Sequence, residues 1–191
     1  MSIRAVVAED ESIIRMDLVE SLVSAGVEVV GQAGDGETAL ALIRALLPDV
    51  ALLDIQMPEM DGLQVAEAVL EDGICPVVMV TAFSQRSLVE RAADAGAMGY
   101  LVKPVVPADL LPAITVARSG FERIQSLRGR VQDLEDQLQA RKLIDRAKSL
   151  LQSQHGMDEA TAFRWMQRAA MDRRISMREV AESLLRSTAQ N

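Results

Sequence analysis

Apolar positions over the first 117 residues switch repeatedly between two spacings, short continuous runs and stretches recurring every three or four residues. Ile3–Ala8 is a run broken only by Arg4, and after it Ile13, Ile14, Met16, Leu18, Val19 and Leu22 fall at helical spacing. Val27–Ala33 reads as a second strand, with Gly26 stopping the helix before it and Gly34-Asp35-Gly36 turning the chain after it. A second helix runs to Leu47. Pro48-Asp49 opens a third strand over residues 50–55, and the Asp61-Gly62 turn leads into a third helix over residues 63–70. The fourth strand covers residues 76–80 and ends at Thr81-Ala82-Phe83-Ser84; the helix after it, residues 87–95, is closed by Gly96. Tyr100-Leu101-Val102 is the fifth strand. It ends at Lys103-Pro104, and residues 108–117 resume the helical pattern with Pro112 near its start. Five strands alternating with five helices predict a parallel sheet covered on both faces, whose right-handed crossovers bring the strand ends together.

From Phe121 the pattern changes. Ile124, Leu127, Val131, Leu134 and Leu138 follow the 3-4-3-4 spacing of a coiled-coil seam, which lasts barely three heptads before Arg141 breaks it. Such a helix either pairs with a second copy as a dimer stem or docks its stripe onto the rest of the chain. Gly156 ends it. Asp158 caps the next helix, in which Phe163, Met166 and Ala170 share a face and which Asp172-Arg173-Arg174 ends. Ser176-Met177-Arg178-Glu179 is a capping box that opens a last amphipathic helix carrying Val180 and Leu184, so the rear is a small three-helix unit.

Composition sets the outer bounds. The 191 residues are 49% apolar with a mean hydropathy of +0.13, enough for an ordinary core, and no run approaches the roughly 18 apolar residues of a membrane span. The start goes straight into a strand rather than a signal peptide, so the expected location is the cytoplasm. The single cysteine, Cys75, excludes an internal disulfide and any multi-cysteine metal site, and beside Pro76 it reads as packing. Charge is divided unevenly. Residues 1–117 hold six Lys/Arg against eighteen Asp/Glu, a balance of −12, whereas residues 118–191 hold fourteen against ten, a balance of +4. An acidic front suits a cation and a basic rear suits a polyanion.

The chemistry collects at the predicted strand ends, where open α/β sheets place their sites. Glu9 and Asp10 follow the first strand, Asp54 the third, Thr81 the fourth and Lys103 the fifth. Carboxylates gathered in one crevice repel each other and lose hydration, an arrangement tolerable chiefly with a hard divalent cation such as Mg²⁺. Asp54 is then positioned as the nucleophile that forms an acyl phosphate, with Thr81 and Lys103 holding phosphoryl oxygens.

Residues 1 to about 120 resemble the receiver domain of two-component response regulators. The matching positions are Glu9-Asp10, Asp54 within Asp54-Ile55-Gln56-Met57-Pro58, Asp61-Gly62, Thr81-Ala82, Tyr100 and Lys103-Pro104. The family's acid pair is commonly two aspartates, so Glu9 is a departure. The resemblance implies a flavodoxin-like sheet in the order 2-1-3-4-5 and phosphorylation of Asp54 by a sensor histidine kinase. It also implies Mg²⁺ held directly by Asp10, Asp54 and the Gln56 backbone carbonyl, with Glu9 acting through water. Thr81 and Tyr100 would form the switch pair, the Lys103-Pro104 peptide would be cis, and Gln56 and Phe83 would tune phosphate lifetime.

The rear is similar to a second family. Ala147-Lys148-Ser149-Leu150-Leu151, the stretch from Ala162 to Met171, and Val180-Ala181 resemble the ANTAR domain of antiterminator response regulators, with Ser149 replacing a frequent glycine. That resemblance implies binding of RNA hairpins in nascent transcripts, and the seam spacing adds a phosphorylation-dependent homodimer through the coiled-coil helix, or release of that helix, as the expected output step. The expected layout is a receiver over residues 1–117, a helical linker over 118–140 and the ANTAR domain over 134–188. Its candidate RNA contacts are Arg146, Lys148, Arg164, Arg168, Arg173, Arg174 and Arg178, since basic residues at these spacings can form one face. Trp165 reads as core or rim and His155 as a helix cap. Two other readings of the rear remain open on the residues alone, a DNA-binding response regulator and a signalling adaptor whose last helices bind protein.

Overall fold

The computed structural model describes residues 2–82 and 86–188. Phe83, expected to tune phosphate lifetime, lies outside the described residues. The chain divides into two compact units, Met1–Ser126 and Leu127–Asn191.

The first unit alternates strands and helices in chain order: β1 (Ile3–Ala8), α1 (Ser12–Ser24), β2 (Val27–Ala33), α2 (Gly36–Leu46), β3 (Val50–Leu53), α3 (Gly62–Asp72), β4 (Val77–Thr81), α4 (Arg86–Asp94) and β5 (Gly99–Val102). It is completed by the opening turns of α5 (Pro107–His155). The five strands form one parallel sheet in the order β2-β1-β3-β4-β5, as the resemblance implied. β3 and β4 are buried along their whole length, and period 2 divides their side chains between two cores. Val6, Ala8, Ala51, Leu53 and Met79 pack beneath α2, α3 and α4, while Ala5, Val7, Leu52, Val78 and Val80 pack beneath α1 and α5. Central strands apolar on both faces are what a sheet with helices on both sides requires.

Most boundaries shift by a residue or two, and three of the differences have a visible cause. β3 stops at Leu53 rather than residue 55: Asp54 N–H donates to the Ala8 carbonyl, but Ile55 turns its carbonyl to Gly62 N–H at 2.9 Å. Gly36 belongs to α2 and not to the turn, because Asp35 takes the N-cap and accepts from Thr38 N–H at 2.7 Å. α5 does not end near residue 117 but runs unbroken through the predicted seam to His155, with Gly156 in the left-handed region at φ +63°.

Two glycines clasp the loop after β3. A Cβ at Gly62 would lie 1.9 Å from the Asp54 carbonyl oxygen, and one at Gly36 would lie 2.0 Å from that of Met60. α3 is anchored beside them by a reciprocal capping box between Asp61 and Gln64.

In the second unit the end of α5 packs with α6 (Glu159–Arg173) and α7 (Met177–Thr188) around Ala147, Leu151, Ala162, Met166, Ala170, Val180 and Ala181. Asp158 caps α6 by accepting from Thr161 N–H at 2.6 Å, and Ser176 and Glu179 form the expected reciprocal box before α7. One correction concerns the α6 face. Ala162, Met166 and Ala170, spaced by four, turn inward, whereas Phe163 lies 45% exposed, because alanines at the contact let the helix backbones approach more closely than a ring permits. Among the described residues no helix is long and apolar enough to cross a membrane. Seam positions Leu127, Val131, Leu134 and Leu138 are all exposed.

Cys75 is buried, and burial, aided by the charge of Asp49, pushes its thiol up to about 12. Its alkylation in the native protein is therefore expected to be at least about a thousandfold slower than that of a free cysteine, and to recover in denaturant. The clasp makes a second prediction. Gly62→Ala is expected to destabilise the first unit by about 1–3 kcal/mol through backbone overlap, whereas Gly129→Ala, with open space around its Cβ in α5, gains about 0.5–1 kcal/mol. Urea denaturation of both variants measures the contrast.

Candidate metal centre and candidate nucleic-acid interface

Parallel pairing brings the predicted site residues to one edge. In register, Ala8 faces Leu53, Leu53 faces Met79 and Thr81 faces Val102, so the residues just beyond each strand converge. Oxygens of Glu9, Asp10 and Asp54 lie within 4.8 Å of one another. Glu9 and Asp54 are buried and Asp10 is exposed, giving the cluster a closed floor and an open side. Lys103 reaches in from β5, with its Nζ 2.7 Å from Asp54 Oδ2 and ion-paired to Glu9 as well. Its peptide to Pro104 is cis, as the resemblance implied. Gln56 N–H turns back to Asp54 Oδ1 at 3.4 Å. A cavity of about 640 Å³ opens over Asp10, Asp54 and Lys103 and continues along Ile14, Val80 and Pro104.

The electrostatics follow from crowding. Burial raises the Glu9 carboxyl above its ordinary value, although its hydrogen bond to Lys103 pulls the other way. Burial works to lower Lys103, but its hydrogen bonds to Asp54 and Glu9 outweigh that and hold the ammonium above the usual lysine value. Tyr100, half-buried on β5 and packed against the core, has its phenol raised by burial and then by the charge of Asp54. Thr81 is fully buried at the end of β4. Three carboxylates and one ammonium leave two formal negative charges, which a divalent cation cancels. An all-oxygen donor set with one open side fits Mg²⁺, which retains waters and accepts further oxygens, better than it fits a softer metal.

One contributor escaped the sequence reading. Arg15, one turn into α1, donates from Nη1 to the Glu9 backbone carbonyl and so holds the acidic loop from behind. The helical spacing placed it on α1 but carried no signal of that backbone contact.

In the second unit the basic candidates separate into two groups. Lys148 is paired to Asp145 at 2.9 Å and to Glu159 at 3.0 Å, and Arg178 is paired to Glu182 at 3.0 Å. Arg146, Arg164, Arg168, Arg173 and Arg174 are exposed and, among the described residues, have no ion-pair partner. Arg164 and Arg168 line one concavity of α6 with Trp165. Arg174 takes the left-handed C-cap of α6, and His155 is the exposed last residue of α5.

Comparison with known proteins reaches the same two regions. The model of the response regulator receiver domain matches residues 5–115, and that of the ANTAR domain matches residues 132–185. The chain is 53% identical over 182 residues to the transcriptional regulatory protein PdtaR of Mycobacterium tuberculosis, covering 95% of this chain and 89% of that one. Among solved structures, the signal receiver domain of NarL from Mycobacterium tuberculosis is 40% identical with a TM-score of 0.59, covering 62% of this chain and 98% of that one. A CheX–CheY complex of Borrelia burgdorferi with BeF3 and Mg²⁺ is 27% identical with a TM-score of 0.56, covering 59% and 86%.

The raised Glu9 carboxyl makes a signed prediction. In the metal-free native state Glu9 keeps its proton at pH values where the unfolded chain has released it, so stability falls as pH rises from the ordinary carboxylate range through the raised value. Glu9→Gln is expected to flatten that dependence and to weaken Mg²⁺ binding about 10- to 100-fold. Thermal melts across pH, with and without Mg²⁺, measure both effects.

Proposed function

The chain belongs to the response regulators that join a receiver domain to an ANTAR domain, and on that premise we propose that phosphorylation of Asp54 by a sensor histidine kinase controls its binding of RNA hairpins in nascent transcripts, and thereby antitermination. The observation that carries the phosphorylation step is the Asp54 carboxylate at the β3 end, 2.7 Å from the Lys103 ammonium and open to a cavity. A carboxylate oxygen attacks phosphorus, the bond from phosphorus to the donor nitrogen breaks, and the acyl phosphate remains on Asp54. Lys103 then transfers its ion pair from the carboxylate to a phosphoryl oxygen, and the Thr81 hydroxyl donates to another. Asp10, Asp54 and the Gln56 carbonyl would hold Mg²⁺, with Glu9 behind them through water, and the ion supplies charge neutralisation and oxygen positioning. Catalysis is confined to this self-phosphorylation and to slow loss of the phosphate.

The switch is the Thr81 and Tyr100 pair on neighbouring strands, Tyr100 in register with Met79 two residues before Thr81. Movement of the hydroxyl toward phosphate lets the ring turn inward and repacks the receiver surface. The output is a dimer through the α5 seam. Ile124 and Val131 alternate with Leu127 and Leu134, the β-branched and leucine alternation of parallel two-stranded coils. Dimerisation then presents two basic modules to RNA, and the cytoplasm is the compartment where such transcripts are met. A duplex-DNA reader is disfavoured, because the cations of α7, Arg178 and Arg186, are both paired to Glu182.

At fixed salt, binding to an RNA with two tandem hairpin loops is expected to tighten roughly 5- to 150-fold when an acyl-phosphate donor and Mg²⁺ are added, and Asp54→Asn is expected to abolish that gain. Equal, weak binding to any polyanion would overturn the antiterminator reading.

A further inference from the structure

α6 leaves a large aromatic side chain outside the core it builds. Trp165 precedes the fully buried Met166 by one residue, about 100° around the helix, and stays 42% exposed. It sits in a concavity of about 680 Å³ whose wall includes Thr161, Arg164, Gln167, Arg168 and Asp172. Exposed Met171 extends its apolar floor. Arg164 and Arg168 flank the ring one turn apart, and neither guanidinium has an ion-pair partner among the described residues, unlike Lys148, Arg178 and Arg186. A flat apolar face between two uncommitted cations suits a planar group attached to an anionic backbone.

We propose that Trp165 is a stacking platform for one unpaired base of bound RNA, with Arg164 and Arg168 taking the phosphates on either side. The proposal rests on the RNA-binding reading and assigns it a site. Indole stacking is tolerant of base identity, because every base has a π face. Direction comes from Asp172. Its carboxylate repels phosphate and accepts hydrogen bonds from amino or imino groups, so the backbone runs along the arginine side and the base edge turns toward the acid. A paired base keeps both faces in its own stack and has none to offer, so the site selects loops over stems. Trp, Arg and Met are also common in protein interfaces. Two guanidiniums with no acid within ion-pair distance among the described residues favour a partner that supplies the anions, because burying them unpaired against protein would be costly.

The chain has one tryptophan, so its emission, excited on the red edge where Tyr100 does not absorb, reports this site alone. The phosphorylated full-length protein is titrated at fixed salt with an RNA hairpin bearing a purine loop, and separately with the same stem closed as a blunt duplex. The hairpin is expected to quench the emission and the duplex to leave it unchanged. Trp165→Ala is expected to lose about 10- to 100-fold in hairpin affinity by electrophoretic shift, with Trp165→Phe retaining most of it and the exposed ring variant Phe163→Ala unaffected. Circular dichroism melts verify that each variant folds. Hairpin binding without quenching, unaltered in Trp165→Ala, overturns the stacking site and leaves the RNA reading intact. Absence of hairpin binding by the phosphorylated protein overturns both. A shift in oligomeric state by sedimentation in Trp165→Ala, with affinity per protomer unchanged, overturns the site in favour of a protein contact.

Discussion

One ammonium shared between two buried carboxylates sets the terms for the first unit. Lys103 bonds Asp54 and Glu9 at once, and both acids are buried. Removing like charges from solvent costs several kcal/mol per ion unless partners repay it, so these groups are tolerable together only in a closely specified geometry. The sheet supplies that geometry. Parallel strands with matched register end on one edge, and cores on both faces prevent the strands from sliding to relieve the repulsion. The cluster remains two charges short of neutrality on its open side, where Asp10 faces solvent. It is therefore built to accept positive charge.

The second unit solves the opposite problem. Its core is made largely of alanines with Leu151, Met166 and Val180, so the helices pack closely and little volume is left for large side chains. Bulky residues are displaced outward, and Trp165 and Phe163 both end on the surface. Capping by Asp158 and by the Ser176 and Glu179 pair holds the helix starts, which matters in a unit with so small an interior. Acids at positions 145, 159 and 182 tie down Lys148, Arg178 and Arg186. The remaining arginines on α6 belong to no internal structure.

How far these features were legible in the residues depended on how local their causes were. The order of strands and helices, and the strand ends bearing Glu9, Asp10, Asp54, Thr81 and Lys103, followed from alternation of apolar spacing and from turn residues, both local. β1 and β2 matched to the residue because the acids from Glu9 end β1 and Gly26 and Gly34 bracket β2. The end of β3 was misplaced because Ile55 is apolar enough to continue a strand, and only the long-range bond from Gly62 shows that it turns away. α5 was cut short at Ala117 for the reverse reason. Gly120 interrupts the pattern, yet it sits in open space where a glycine costs little more than helix propensity. Phe163 was grouped with Met166 and Ala170 on one face by helical spacing, whereas close packing turned Ala162 inward with them. The pairing of Lys148 with Glu159 depends on how α5 and α6 pack, which spacing within either helix does not show.

The clasp on the β3 loop separates two demands usually met by the same residues. Gly36 and Gly62 hold the chain from Asp54 to Asp61 through backbone contacts alone. The side chains of Gln56 and Glu59 are exposed. Substitution at Gln56 or Glu59 can thus alter the surface bordering the carboxylate cluster without moving Asp54. A lineage can keep the Asp54 carboxylate fixed and still vary, one exposed position at a time, the surface that meets whatever approaches it.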